Sequence, residues 1–318
     1  MSRSVRIPLL FVLLWSSSYI AFAFCSDHIE PATFIVIRAS MTALLLYLIV
    51  VVIKSKWPQR RIDIFYSIVV GVLIHGVYAG GSFASIYHGL DVTICALILS
   101  LQPLLTILLS STFLGERITS LKIAGILAGL IGVSMIIMDG QAVPAIWADD
   151  AAVMKNDSVL AVALCFMALL AISGATIIQK RFCTHTELLP GACIQYAAAA
   201  LFALPVAFFL ETMHVDWNPD LFLGMSWLVI VISVGAVSLL MMLINRGDAG
   251  SVANLFYLVT PLVAIQAWLF FDEKLSASGL LGMVLCLLGV VVVGFVTTTK
   301  QTAEMVDTAG RTEVRSFK

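Results

Sequence analysis

Apolar residues in this chain fall in long unbroken runs, separated by short polar segments, with neither strand-like alternation nor a narrow amphipathic stripe. Ten runs can be marked: 7–25, 33–53, 63–84, 92–114, 120–138, 158–179, 188–210, 221–244, 250–270 and 276–296. Each is close to the roughly 20 residues that an α-helix needs to cross the hydrocarbon of a bilayer. A membrane barrel strand would be about half as long and would alternate. In lipid, every backbone N–H and C=O must be satisfied within the protein, and a continuous apolar run can do that only as a helix. The pattern therefore predicts an all-α integral membrane protein with ten transmembrane helices.

The runs also repeat. Residues 101–135 and 259–293 share an order of features: a proline in an apolar run (Pro103, Pro261), an acid beside a base (Glu116-Arg117, Glu273-Lys274), then two glycines seven apart (Gly125 and Gly132, Gly282 and Gly289). A duplicated membrane unit is the usual build of a secondary transporter. Composition agrees with the membrane assignment, at 61% hydrophobic and 12% charged with a mean hydropathy of +1.05.

Charge then orients the ten predicted spans. With a cytoplasmic N-terminus, 15 of the 18 Lys and Arg fall on the cytoplasmic side, only Lys155 and Lys274 fall outside, and Arg38 lies within a span. That bias is the positive-inside rule. It places the two acid-base pairs on opposite faces, which makes the halves inverted repeats of five spans each. The expected organisation is a first repeat over 1–138, an outer connecting loop over 139–157, a second repeat over 158–296 and a cytoplasmic polar tail over 297–318. The N-terminal run is longer than the usual core of a signal peptide and is read as the first helix. The six cysteines form no CxxC pair and point to packing, not to a disulfide framework or a metal.

The polar residues forced into hydrocarbon are the candidates for function, because an ionisable group there is costly. Arg38 lies in the second span. It either contacts substrate or a gate, or it reaches outward and pairs with a carboxylate such as Glu30. His75 lies midway along the third span, on one helical face with Tyr78 and Ser82, while Gly76 and Gly80 form a small-residue seam beside it. That face either lines a cavity or is bonded into helix packing. Further stripes are Trp15, Ser18, Tyr19 and Phe22 in the first span and Asn254, Tyr257 and Pro261 in the ninth. Gln195 and Tyr196 of the seventh span, with Ser238, Met242 and Asn245 of the eighth, could add contacts from the second half.

The predicted substrate-binding set is Trp15, Tyr19, Arg38, His75, Tyr78, Gln102, Asn254 and Tyr257. Pro103 and Pro261 are the expected hinges, with static kinks as the alternative. No Asp or Glu falls deep in a span, so the two deep ionisable groups are basic and favour an anionic substrate.

The run Leu14-Trp15-Ser16-Ser17-Ser18, Pro31 before and Arg38 within the second span, and the repeated proline-to-acid-base passage together resemble the drug/metabolite transporter superfamily, in its EamA-like branch with two tandem domains. The resemblance covers residues 8 to 296. It implies a carrier of ten helices in the bacterial inner membrane, often an exporter of amino acids or other small metabolites, with a central cavity between the halves. Two departures stand out: Ile172-Ser173-Gly174 where the family often has a tryptophan, and Phe271-Asp272-Glu273-Lys274 in place of a Gly-Glu-Arg. The expected function is a secondary transporter that exports or exchanges amino acids or organic acids by alternating access. The partners are a small-molecule substrate and the lipid bilayer, without nucleic acid, cofactor or metal; a homodimer is compatible. The alternatives are a membrane receptor or structural protein, or a membrane-embedded enzyme, although HExxH, GxSxG and GxxxxGK motifs are missing.

Overall fold

The computed structural model describes residues 3–102, 104–106, 108–109, 120–138, 155–183, 186–236, 239, 258–272, 276–289 and 291–292. They fold into helices with no strand among the described residues: α1 Arg3–Ser26, α2 Pro31–Ile53, α3 Arg61–Tyr87, α4 Val92–Leu99, α5 Ser120–Met138, α6 Lys155–Phe182, α7 Leu188–Leu210, α8 Pro219–Ala236, α9 Val259–Phe271 and α10 Ala277–Gly289. Six of these (the apolar parts of α1, α2, α3, α6, α7 and α8) are long and apolar enough to cross a membrane, and the others are shorter apolar helices.

The interior is mostly apolar, but the outer surface is apolar as well, and some polar side chains are buried. Leu44, Val52, Leu201, Phe209, Leu210, Phe222, Leu223 and Leu269 are exposed, whereas Ser16, Arg38, Thr42, Ser67, Ser85, Ser173, Gln195 and Thr260 are buried. Lipid is as apolar as leucine, so in a bilayer the apolar side chains face outward and polar ones pack between helices. This is a multi-pass helical membrane protein.

Local chemistry sets several helix ends. Proline is pre-organised for the first helical position, where it lacks only an N–H that would be unpaired. Pro31 opens α2 and Pro219 opens α8 in this way. The Asn218 side chain accepts from Leu221 N at 2.9 Å and caps α8. α4 stops at Leu99, followed by a turn at Ser100–Leu101. Pro103 stands four residues past Leu99, where an N–H would otherwise bond the Leu99 carbonyl. The fourth apolar run thus holds a break that hydropathy alone does not show.

α2 and α7 pack extensively on one another, and both their ends are clamped. Glu30 stands at the N-cap position of α2, and its carboxylate accepts from Thr212 N (2.9 Å) and Oγ1 (2.8 Å), just past the end of α7. Glu187 stands at the N-cap position of α7, and its carboxylate accepts from Ser55 Oγ and from Lys56 N (2.9 Å), just past the end of α2. The pair is therefore antiparallel, with one reciprocal glutamate clamp at each end. At the Glu30 end, Glu211 adds bonds to Ala32 N (2.6 Å), Thr33 N (2.7 Å) and Thr33 Oγ1 (2.7 Å), so a carboxylate sits on the positive end of α2. His28 and Asp216 approach to 3.3 Å beside it.

α5 and α10 meet through their glycines. A Cβ on Gly132 would lie 2.5 Å from the Gly282 carbonyl oxygen, and one on Gly289 would strike the Gly125 carbonyl oxygen and lie 2.9 Å from Gly129 N. The glycines that repeat in the sequence thus face one another.

Candidate functional site

α3 carries the central polar residues and is irregular where it carries them. Residues Val72–Tyr78 are π-helical, as are Trp227–Ala236 of α8. A π stretch is an uncommon feature that concentrates at functional sites. It also takes more residues per turn than the 3.6 of an α-helix. His75 and Tyr78 are therefore turned apart: His75 faces α7 and Tyr78 faces α1. This corrects the single polar face expected from α-helical spacing. Ser82 does not join them either, because it is buried and its hydroxyl donates back to the Tyr78 carbonyl at 2.7 Å. The glycine seam is split as well, Gly76 lying against Phe202 of α7 and Gly80 against Ile35 of α2.

His75 stacks on Tyr196, with ring centroids 3.7 Å apart and planes 21° from parallel, and lies beside Gln195. The Tyr196 hydroxyl reaches Ser233 of α8 at 3.3 Å. A close backbone approach allows this: the Gly71 Cα faces the Gln195 backbone with no space for a Cβ. Tyr78 lies beside Tyr19, which is buried in α1. Beside that pair, Cys95 and Cys165 bring their sulfurs to 3.8 Å.

Arg38 lies between these two groups. It is 7% exposed, its guanidinium is 5.6 Å from the Phe22 ring centroid, and it acts electrostatically on both His75 and Tyr78. A cation over an aromatic face gains roughly 0.5–2 kcal/mol. That is less than the several kcal/mol that removing an ion from water costs. Its Nε is buried without a hydrogen-bond partner, and no ion pair joins it to a described residue. Glu30, the carboxylate that sequence spacing offered, is engaged with Thr212 instead. Asp63 is buried too, but it occupies the first turn of α3, where the helix dipole favours a carboxylate.

The other expected site residues are spread around α1. Trp15 is half-buried and packs 5.5 Å from the Phe11 ring. Its neighbours Ser16 and Ser17 accept from Gln266 Nε2 of α9 (2.9 Å) and Trp227 Nε1 of α8 (2.8 Å). Gln102 donates to Thr176 Oγ1 of α6 at 3.1 Å. Pro261 is the third residue of α9, in a first turn where a missing N–H breaks no intrahelical bond. Asn254, Tyr257 and Pro103 lie outside the described residues, as do Ser238, Met242 and Asn245.

Gln195 was named in the sequence only as a second-half contact, yet a signal marked it. Arg38 stands eight residues after the N-cap Glu30, and Gln195 stands eight after the N-cap Glu187. The two occupy matching positions in the two helices that clamp each other.

Known proteins agree with this architecture. A solved crystal structure superposes with a TM-score of 0.61 at 17% identity, over 92% of this chain and 96% of its own, which shows a shared fold. The uncharacterized transporter YvbV of Bacillus subtilis (strain 168) is 21% identical over 292 residues, 89% of each chain. A probable amino-acid metabolite efflux pump of Escherichia coli (strain K12) is 23% identical over 218 residues, 65% of this chain and 69% of the pump. The EamA-like transporter family matches twice in tandem, over residues 7–138 and 159–295, and the chain belongs to that family.

Proposed function

We propose that this EamA-family protein is a secondary transporter of the bacterial inner membrane that exports or exchanges a small carboxylate-bearing metabolite, an amino acid or organic acid, by alternating access. The single observation that carries this reading is Arg38, a guanidinium buried in the bundle with an unpaired Nε and no carboxylate partner among the described residues. A buried charge is stabilised by a counter-charge, and a substrate carboxylate supplies one. Trp15, Tyr19, His75, Tyr78 and Gln102, with Asn254 and Tyr257 from the ninth span, are the further substrate contacts of this reading.

Two inverted repeats of five spans, over 1–138 and 158–296, would rock about the site, with both termini cytoplasmic. The reciprocal glutamate clamps, the facing glycines of α5 and α10, and the π stretches in α3 and α8 all support a two-fold relation between the halves. The efflux role in the name of the Escherichia coli relative supports the direction.

Counterflow in proteoliposomes tests the reading, because only a carrier exchanges labelled for unlabelled solute across a sealed bilayer. Labelled amino and organic acids should exchange, and Arg38→Gln should reduce exchange of an acid by far more than exchange of its amide. If acid and amide lose transport by the same factor, the arginine holds the bundle together and does not read the substrate.

A further inference from the structure

Arg38 and Gln195 are the matching residues of the clamped pair, and they differ in charge. Each is the eighth residue of a 23-residue helix, and the helices are antiparallel. Eight residues of rise at 1.5 Å each therefore place them about 12 Å apart along the pair. His75, whose ring stacks on Tyr196 next to Gln195, also lies within electrostatic reach of Arg38. Both flanking side chains are more than nine-tenths buried, at 7% and 8% exposure. One end of this polar strip is a cation without a counter-ion among the described residues; the other is a neutral amide.

We infer that Gln195 is a specificity-determining residue that restricts the carrier to substrates with one free carboxylate. This rests on the carboxylate reading of Arg38 proposed above and adds what the opposite end of the site accepts. A second carboxylate at the Gln195 end would be desolvated against an amide and an aromatic stack, with no charge to offset the loss of water. A neutral hydrogen-bonding group there meets an amide that can donate or accept. The site is thus charged at one end only, and it discriminates monocarboxylates from dicarboxylates by what it leaves unpaired.

The test uses the full chain in proteoliposomes, with counterflow of glutamine and glutaramate against glutamate and glutarate. Each pair of probes differs in whether the far end is an amide or a carboxylate. The wild type should favour the amide-ended probes. Gln195→Arg, which places a cation at both ends, should shift the acid-to-amide ratio toward the diacids by about tenfold or more, the effect of one added charge-assisted contact. Gln195→Glu keeps the size but fixes a carboxylate where the far carboxylate of a diacid would lie, about 12 Å along the pair from Arg38. It should abolish exchange of glutamate and glutarate.

A residue that merely positions His75 would tolerate that glutamate. A wild type that exchanges glutamate as readily as glutamine, or an unchanged ratio in Gln195→Arg with activity retained in Gln195→Glu, overturns the inference and leaves the Arg38 reading standing. If the wild type exchanges none of these probes or the wider set of amino and organic acids, the carboxylate reading itself fails, and this inference with it.

Discussion

Replacing Gly132 by alanine should separate α5 from α10. The added Cβ would lie 2.5 Å from the Gly282 carbonyl oxygen and 2.7 Å from both Cys286 N and Cys286 Sγ, where ordinary contact begins at 3.4 Å. Two of those three atoms are backbone, so a rotamer change cannot relieve the overlap; the helices must part by about 1 Å. Overpacking of this kind costs about 1–3 kcal/mol. Alanine also recovers about 1 kcal/mol of helix propensity wherever it replaces glycine. The useful comparison is therefore with Gly174→Ala in α6, where nothing lies within 4 Å of the new Cβ. The gap between the two variants should be about 1–3 kcal/mol, read from SDS titration of detergent-solubilised protein with thermal unfolding as a check. Gly289→Ala strains the same interface, so Gly132→Ala and Gly289→Ala together should cost less than the sum of the two, since one separation accommodates both. Equal midpoints for Gly132→Ala and Gly174→Ala would refute the glycine-to-backbone contact.

Glu211→Gln should destabilise the protein by about 1–2 kcal/mol, because it removes the charge from three bonds at the start of α2; unchanged hydrogen-exchange protection at residues 32–33 would count against that cap. Glu187 is held below the usual carboxylate value of 4.5, first by the Ser55 hydroxyl and then by Lys56 N. A lowered folded-state value means stabilisation that is complete above the unfolded value and is lost as pH falls through the folded one. Protection against exchange at residues 54–56, relative to the intrinsic rate at each pH, should therefore fall in acid below 4.5, and Glu187→Gln should flatten that dependence; a glutamine variant with the same acid profile would assign the change elsewhere. Arg38→Met removes a buried charge that has no ion pair among the described residues and keeps most of the volume, so it should unfold at the same or a higher temperature while losing transport. Parallel loss of stability and transport would make the arginine structural.

Hydropathy and repetition are local properties, so they could be read directly along the chain. The all-helical membrane class, the depth of Arg38 and the paired glycines Gly125, Gly132, Gly282 and Gly289 were legible because each depends on residues close in sequence. The EamA-like relationship was legible for the same reason, in the doubled proline-to-acid-base passage. What each residue touches was not legible, because contacts form between segments far apart in the chain. Glu211 caps a helix that starts 180 residues earlier, and Glu30 serves Thr212 instead of Arg38. His75 finds Gln195 and Tyr196 across the bundle. The π stretch in α3 was hidden too, since nothing in a continuous apolar run reports how many residues make one turn. That rotation decides which way His75 and Tyr78 face. Sequence thus determined which polar groups had to enter the membrane, through the cost of burying them, whereas only the packing of helices against one another decided which were partnered and which, like the Arg38 Nε, were left without one.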